Sequence, residues 1–213
     1  MAEFTASGAE RFERVVGVST PLPLAMGVFG LTTAIIGSIF AGFIVRGAGA
    51  GLLPGIVASF SMLATVAFFG GLVQLLAGLS ELRRDNMLSG TIFTSYGGFL
   101  MALGVMMAPT LNILNNLLAS RALNAALGLF FLAWTIFAAI LLLSSLRMPT
   151  SYIATLALFF LSYLFLTIGE LAGGSTTWLV IGGWLGIICG LVALYTSFAG
   201  LLGANKSLFH LPM

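Results

Sequence analysis

Hydrophobic residues fill six long runs of the chain, and short stretches rich in glycine, proline, asparagine or charged residues separate them. The runs extend over about Thr20 to Val45, Pro54 to Leu79, Ser89 to Ala108, Leu123 to Leu146, Ser151 to Ile168 and Trp178 to Leu202. An α-helix needs roughly 20 apolar residues to cross the hydrocarbon core of a bilayer, and the fifth run is near the lower limit. The pattern predicts an all-α integral membrane protein with six transmembrane helices.

Charged residues concentrate between and outside these runs, and they predict the orientation. With a cytoplasmic N-terminus, that side holds Arg11, Arg14, Arg83, Arg84, Arg147 and Lys206, whereas the other side holds Arg46 and Arg121. The positive-inside rule therefore places both termini in the cytoplasm. We expect a cytoplasmic N-terminal tail over residues 1–19, which lacks the apolar core of a signal peptide. We expect this tail to be followed by a six-helix transmembrane domain over residues 20–203 and by a short cytoplasmic tail over residues 204–213.

Composition excludes several classes of protein. Of the 213 residues, 60% are hydrophobic and 7% are charged, far below the quarter or so that is charged in soluble domains. A net charge of +2 with scattered basic residues argues against nucleic acid as a partner. One cysteine and one histidine exclude disulfides and offer no cluster for a metal, a cofactor or catalysis in the bilayer. The chain does not have the composition of an enzyme.

Polar residues inside the apolar runs concentrate in the second and third runs. On a helix, Gly71, Gln74, Gly78 and Glu81 share one stripe, and the third run carries Thr91, Thr94, Ser95 and Tyr96. A bilayer tolerates such groups only where they face other helices or water. Gln74 therefore either bonds a neighbouring helix or lines a path through the protein, and the sequence leaves both open. Glu81 is expected to form an interfacial ion network with Arg83 and Arg84.

Helix N-termini offer a second kind of candidate site. Thr20 is a plausible N-cap with Pro21 at the first helical position, and Asp85 or Asn86 can cap the third helix. Both helices begin on the same side of the membrane, where their free N–H groups could hold an anion. Ordinary capping explains the same residues, and on physical grounds alone it is the simpler interpretation.

Three motifs resemble the acetate uptake transporter family, typified by the succinate–acetate permease. They are Gly70–Glu81 followed by Asn86 and Thr91–Gly97, the opening Thr20–Met26 with Phe29, Gly30, Thr32 and Thr33 behind it, and Gly183–Gly190 near the end. The motifs keep their order and spacing over most of the chain. Four residues depart from the family pattern: Thr20 replaces an asparagine, Leu22 and Ala25 stand at the positions of the small residues after it, and Glu170 stands where a neutral residue is expected.

This resemblance implies a fold and an activity. It implies a central path in each protomer of a homo-hexamer, embedded in lipid of the plasma (inner) membrane, and transport of acetate and often succinate or related small carboxylates. The implied constriction consists of Phe29, Tyr96 and Phe159. The candidate substrate-binding residues are Thr20, Pro21, Pro23, Thr32, Gln74, Asn86, Thr94 and Ser95.

Mechanism stays open at the level of sequence. A carboxylate crossing an apolar constriction needs compensating donors, as in a channel, or crosses protonated, as in a proton-coupled carrier. Transport of another small solute, such as ammonia or an amino acid, is the remaining alternative. Glu170 either pairs with Arg121 or Arg46 or acts as a proton-linked element. Gly182, Gly186 and Gly190 form a ridge that meets another span or a neighbouring protomer.

Overall fold

The computed structural model describes residues 20–43 and 52–204, and all regular structure in these ranges is helical. The helices are α1 (Leu22–Phe40), α2 (Leu52–Leu82), α3 (Met87–Met107), α4 (Ile113–Ala119), α5 (Leu123–Ser144), α6 (Thr150–Leu171) and α7 (Thr176–Ala204), with a 3₁₀ turn at Pro109–Leu111. All except α4 are long and apolar enough to cross a membrane. The prediction of six spans is therefore confirmed, while both terminal tails and Arg46 lie outside the described residues.

The six long helices form a closed ring around a common interior. Going round the ring, α1 packs on α2, α2 on α3, α5 on α6, α6 on α7, and α7 returns to α1. The contact between α3 and α5 is slight, although these two helices complete the ring. The interior therefore receives side chains from helices that are far apart in sequence.

Glycines bring two helix pairs into backbone contact. A Cβ atom built on Gly37 would lie 2.6 Å from the carbonyl oxygen of Gly183, so α1 and α7 touch through their main chains. The same holds between α2 and α3, where a Cβ on Gly71 would lie 2.7 Å from the carbonyl oxygen of Gly97. Small residues allow such approach between membrane helices, where packing and dispersion rather than the hydrophobic effect drive association.

The glycine ridge of α7 meets other spans of the same chain. Gly186 and Gly190 face α1, whereas Gly182 faces Leu166 of α6. The structure thus assigns the ridge to packing within the protomer. Outward-facing positions are large and apolar instead, as at Leu31, Phe69, Leu76, Leu129, Ile136, Leu143 and Leu191. A ring with an apolar exterior and a polar-containing interior suits a bilayer.

The turn between α2 and α3 depends on two adjacent residues. Asn86 is the N-cap of α3, and its side-chain oxygen accepts a hydrogen bond from the N–H of Ser89 at 3.4 Å. Asp85 precedes it with a φ of +58°, a left-handed conformation that L residues other than asparagine and aspartate seldom adopt. Of the two candidate caps, the structure selects Asn86.

Candidate functional site

Three aromatic side chains from α1, α3 and α6 meet at the centre of the ring. The ring centroids of Phe29 and Tyr96 are 4.7 Å apart, those of Phe29 and Phe159 are 5.1 Å apart, and those of Tyr96 and Phe159 are 5.2 Å apart. All three side chains are at least 98% buried, with exposed fractions of 2%, 1% and 1%. We call this triangle of rings the aromatic collar. It brings together the three residues that the sequence resemblance singled out.

The hydroxyl of Tyr96 is held inside the collar. It shares a hydrogen bond of 2.9 Å with the hydroxyl of Thr33, which lies one helical turn beyond Phe29 on α1. This bond fixes the direction of the phenol, and it satisfies a polar group that would be costly to bury alone. From the sequence, Thr33 is only part of a motif, because nothing in a sequence indicates which of two adjacent threonines bonds a particular side chain.

Further aromatic rings pack around the collar on its α5 side. Trp134 stacks on Phe99 with centroids 4.6 Å apart, and Tyr163 packs against Phe159 at 4.5 Å. Edge-to-face and offset stacked pairs of this kind are favourable beyond the area that they bury. Sequence reasoning did not single out these three supporting residues, since aromatic residues in a membrane chain are usually packing or lipid contacts.

Cavities lie on both sides of the collar. Met26 of α1, Ile92 of α3 and Tyr152 of α6 line a small cavity of about 10 Å³, roughly the room that one water needs. A larger cavity of about 320 Å³ lies among Phe40 of α1, Met107 of α3 and Glu170 of α6, together with residues of the other helices. Along each of α1, α3 and α6, a residue that lines the small cavity comes first, the collar residue comes next, and a residue that lines the larger cavity comes last. The collar therefore separates the two cavities.

At the end beyond the small cavity, three polar side chains form a group that we call the mouth. Glu81 is only 1% exposed, and its carboxylate accepts hydrogen bonds from the Thr20 hydroxyl at 2.8 Å and from the Asn86 amide. The Thr20 hydroxyl also accepts the N–H of Leu22 at 3.2 Å. Hydrogen bonds from the residues that precede α1 and α3 thus converge on one internal carboxylate. The sequence suggested arginine partners for Glu81 and missed these donors.

Several buried polar atoms between the mouth and the collar have no hydrogen-bond partner. They are the side-chain oxygen of Gln74, the hydroxyl of Ser89 and the hydroxyl of Tyr152. The amide nitrogen of Gln74 donates to the carbonyl oxygen of Ala25 at 2.9 Å, so this residue bonds a neighbouring helix and keeps an unused acceptor. Tyr152 and Ser89 were not among the sequence candidates, although a tyrosine two residues into a polar helix start is a recognisable signal.

The other sequence candidates bond within their own helices or lie at helix crossings. The hydroxyl of Thr32 bonds the carbonyl oxygen of Val28 in its own helix at 2.8 Å and lies beside the Tyr96 hydroxyl. Thr94 sits at the α2–α3 crossing. Ser95 donates to its own helix and borders a groove between α3 and α5. Pro23 packs at the α1–α7 contact, where its carbonyl oxygen accepts a hydrogen bond from Ser197 at 2.6 Å. Half-buried Pro21 begins α1 as its N-cap.

The larger cavity, which we call the vestibule, contains one carboxylate. Glu170 lies in the last turn of α6 and is 5% exposed. Within the described ranges its carboxylate has neither a hydrogen bond nor an ion pair, and Arg121 is exposed in the turn before α5. Arg46, the other expected partner, lies outside those ranges. Asn124 is the second polar residue of the lining.

Six spans that enclose an aromatic collar between two cavities define a polytopic helical membrane protein. The sequence profile of the GPR1/FUN34/yaaH family matches residues 7–213. The chain belongs to this family, which confirms the resemblance found in its motifs.

Named relatives describe what the chain is similar to. Succinate-acetate/proton symporter SatP of Escherichia coli (strain K12) is 30% identical over 200 residues, which cover 92% of this chain and 95% of that protein. Ammonia transport outward protein 2 of Saccharomyces cerevisiae is 32% identical over 192 residues, or 89% of this chain. The chain spans only 63% to 65% of the length of three such fungal relatives.

A solved structure shares the fold. The structure of the bacterial acetate channel SatP superimposes with a TM-score of 0.71 and 25% sequence identity, covering 92% of this chain and 99% of that one. The names of these proteins thus include a channel and a proton symporter for small carboxylates. Both descriptions apply to those proteins themselves.

Proposed function

We propose that the protein transports acetate, and succinate or related small carboxylates, through the path inside each protomer, across the plasma membrane. The observation that carries the proposal is the aromatic collar between two cavities of one chain. Similarity to the succinate-acetate/proton symporter and to the acetate channel supports the substrate class. Assembly of six copies, expected from the family resemblance, is part of the same proposal.

The collar is suited to selection by size and polarity. Three contacting rings leave no continuous opening at the centre of the ring of helices, and the only hydroxyl among them is already bonded to Thr33. Passage of a solute therefore requires the rings to separate, which favours small molecules. Apolar constrictions of this kind gate channels by excluding water.

The mouth supplies the polar side of the mechanism. Donors from Thr20 and Asn86 hold the carboxylate of Glu81, and these are the kinds of group that a substrate carboxylate needs. Helix N-termini add positive potential there. A substrate carboxylate arriving at the mouth would compete with Glu81 for these donors and could also meet the hydroxyls of Tyr152 and Ser89.

Uptake of radiolabelled acetate into proteoliposomes tests the proposal, with Tyr96→Ala as the variant. We expect saturable uptake above that of empty liposomes, and a changed rate in the variant, because removing the ring opens the collar. An imposed pH gradient distinguishes proton-coupled transport from a passive anion path. Absence of uptake by folded protein would refute the assignment of acetate.

A second candidate is transport of ammonia, which the name of one yeast relative favours. Ammonia is small enough to pass where acetate does not, and it needs no compensation for a negative charge. Release of ammonia from loaded proteoliposomes, followed as a change of external pH, separates the two functions. Competition of acetate with that release would indicate one shared path.

A further inference from the structure

We propose that Glu170 is the proton donor of the path, giving its proton to a carboxylate in the vestibule so that the substrate crosses the collar as a neutral acid. This inference rests on the proposed transport of carboxylates. It assigns a role to a residue that departs from the family pattern.

The surroundings of Glu170 argue for a role beyond structure. The side chain is 5% exposed and, among the described residues, has no hydrogen-bond or ion-pair partner. Charged groups that are buried for structural reasons are normally paired, because an unpaired buried charge is very costly. A carboxyl group that is left alone beside a cavity can instead alternate between its neutral and ionised forms.

No other described titratable group faces Glu170. The side chains that α1, α2, α3, α5 and α7 present to the vestibule are aliphatic or aromatic, apart from the neutral amide of Asn124. Arg121 is exposed, three residues before Asn124. Proton exchange at this end of the described structure therefore depends on one group, and Asn124 can donate or accept a hydrogen bond beside it.

The vestibule has room for the substrate next to Glu170. Its volume of about 320 Å³ is at the lower end of the range for small-molecule sites, and acetate has only four heavy atoms. A protonated Glu170 can donate a short, charge-assisted hydrogen bond to an acetate oxygen. In the collar, the Tyr96 hydroxyl already shares a hydrogen bond with Thr33.

The transfer step balances simply. The O–H bond of the Glu170 carboxyl breaks, a new O–H bond forms on the substrate carboxylate, and the negative charge moves to Glu170. The neutral acid then crosses the collar without the cost of carrying a charge among rings. Glu170 regains a proton from water at its own end of the path. One proton thus accompanies each carboxylate, and the movement of the pair is electroneutral.

Glu170→Gln tests the inference because glutamine keeps the shape and cannot release a proton. Initial uptake of acetate and of acetamide, its neutral isostere, is measured in proteoliposomes over a range of external pH, with empty liposomes subtracted. We expect the variant to lose acetate uptake by about 10²-fold, the lower end of what a positioned acid contributes, and to keep acetamide uptake within about twofold. Glu170→Asp should restore acetate uptake, and Asp85→Asn, at the other end, should change neither.

Each remaining outcome is decisive. Glu170→Gln protein with the wild-type rate and pH dependence for acetate would overturn the inference and leave acetate transport intact. If folded Glu170→Gln protein loses uptake of both acetate and acetamide, Glu170 has a structural role. A wild type that carries acetate and excludes acetamide would show that no neutral species crosses. A wild type with no acetate uptake would overturn the proposed function as well.

Discussion

Replacing Phe29 by alanine should open the collar and raise the flux of carboxylates. Phe29 contacts both other rings, with centroids 4.7 Å from Tyr96 and 5.1 Å from Phe159. The substitution removes both contacts, and the space that the phenyl group leaves joins the small cavity that Phe29 lines. If separation of the rings limits transport, the variant should be faster and less selective.

The two ring contacts set the magnitude. Each aromatic pair contributes about 0.5–1.5 kcal/mol beyond its buried area, so parting Phe29 from its neighbours costs roughly 1–3 kcal/mol. Since 1.4 kcal/mol corresponds to a factor of ten, uptake should rise by about 5-fold to 150-fold. Burial also makes the ring important for stability, and a Phe-to-Ala change in a core costs about 3–5 kcal/mol. Phe29→Leu should show the same direction with smaller effects on both.

Uptake of labelled acetate and of benzoate by proteoliposomes measures rate and selectivity together. The matched control is Phe69→Ala, which removes a ring that is 66% exposed on the outer surface. Folding is checked by elution as a single species in detergent. If folded Phe29→Ala and Phe29→Leu both transport acetate at or below the wild-type rate, ring separation does not limit transport and the collar is only packing.

Three further substitutions test individual contacts, each by thermal unfolding in detergent. Thr33→Val should lower the free energy of unfolding by about 1 kcal/mol, since it removes the hydrogen bond between Thr33 and the Tyr96 hydroxyl. The double variant with Tyr96→Phe should recover part of that loss, and equal stability of the single and double variants would contradict the bond. Gly37→Ala should cost about 1–3 kcal/mol, because its Cβ would lie 2.6 Å from a carbonyl oxygen of α7, whereas Gly98→Ala, with nothing within 4 Å, should cost nothing. Asp85→Gly should stabilise by about 1 kcal/mol, since φ is +58°, and an unchanged melting temperature would show that aspartate tolerates this conformation.

Hydrophobic pattern was sufficient to predict the spans but not all their limits. Six apolar runs correspond to six helices because length and composition alone decide whether a segment crosses a bilayer. The run that was expected to end at Leu79 continues to Leu82, since Glu81 is buried by the donors it meets rather than exposed at the interface. The short α4 (Ile113–Ala119) was not predicted, because seven residues carry too little periodic signal.

The hydrophobic periodicity of the sequence cannot indicate that the three collar residues meet. Phe29, Tyr96 and Phe159 came from a resemblance, and their mutual contact depends on how three helices are rotated and ordered in the ring. The same limit explains why Thr33 and Tyr152 were missed and why Thr94 and Ser95 lie elsewhere. Adjacent residues of a helix point about 100° apart, so a rotation that no local pattern records decides which of them faces the path.

The two buried carboxylates differ in their partners, and this difference bears on the proposed transport. Glu81 has donors from the start of both α1 and α3, whereas Glu170 has no partner among the described residues. A substrate carboxylate arriving at the mouth therefore meets donors that are already used, together with a like charge behind them. Access from that side requires Glu81 to release at least one donor, just as passage through the centre requires the rings to part. The described conformation is thus closed at the mouth and at the collar, and the proposed transport requires both an exchange of hydrogen bonds at the mouth and a separation of the rings.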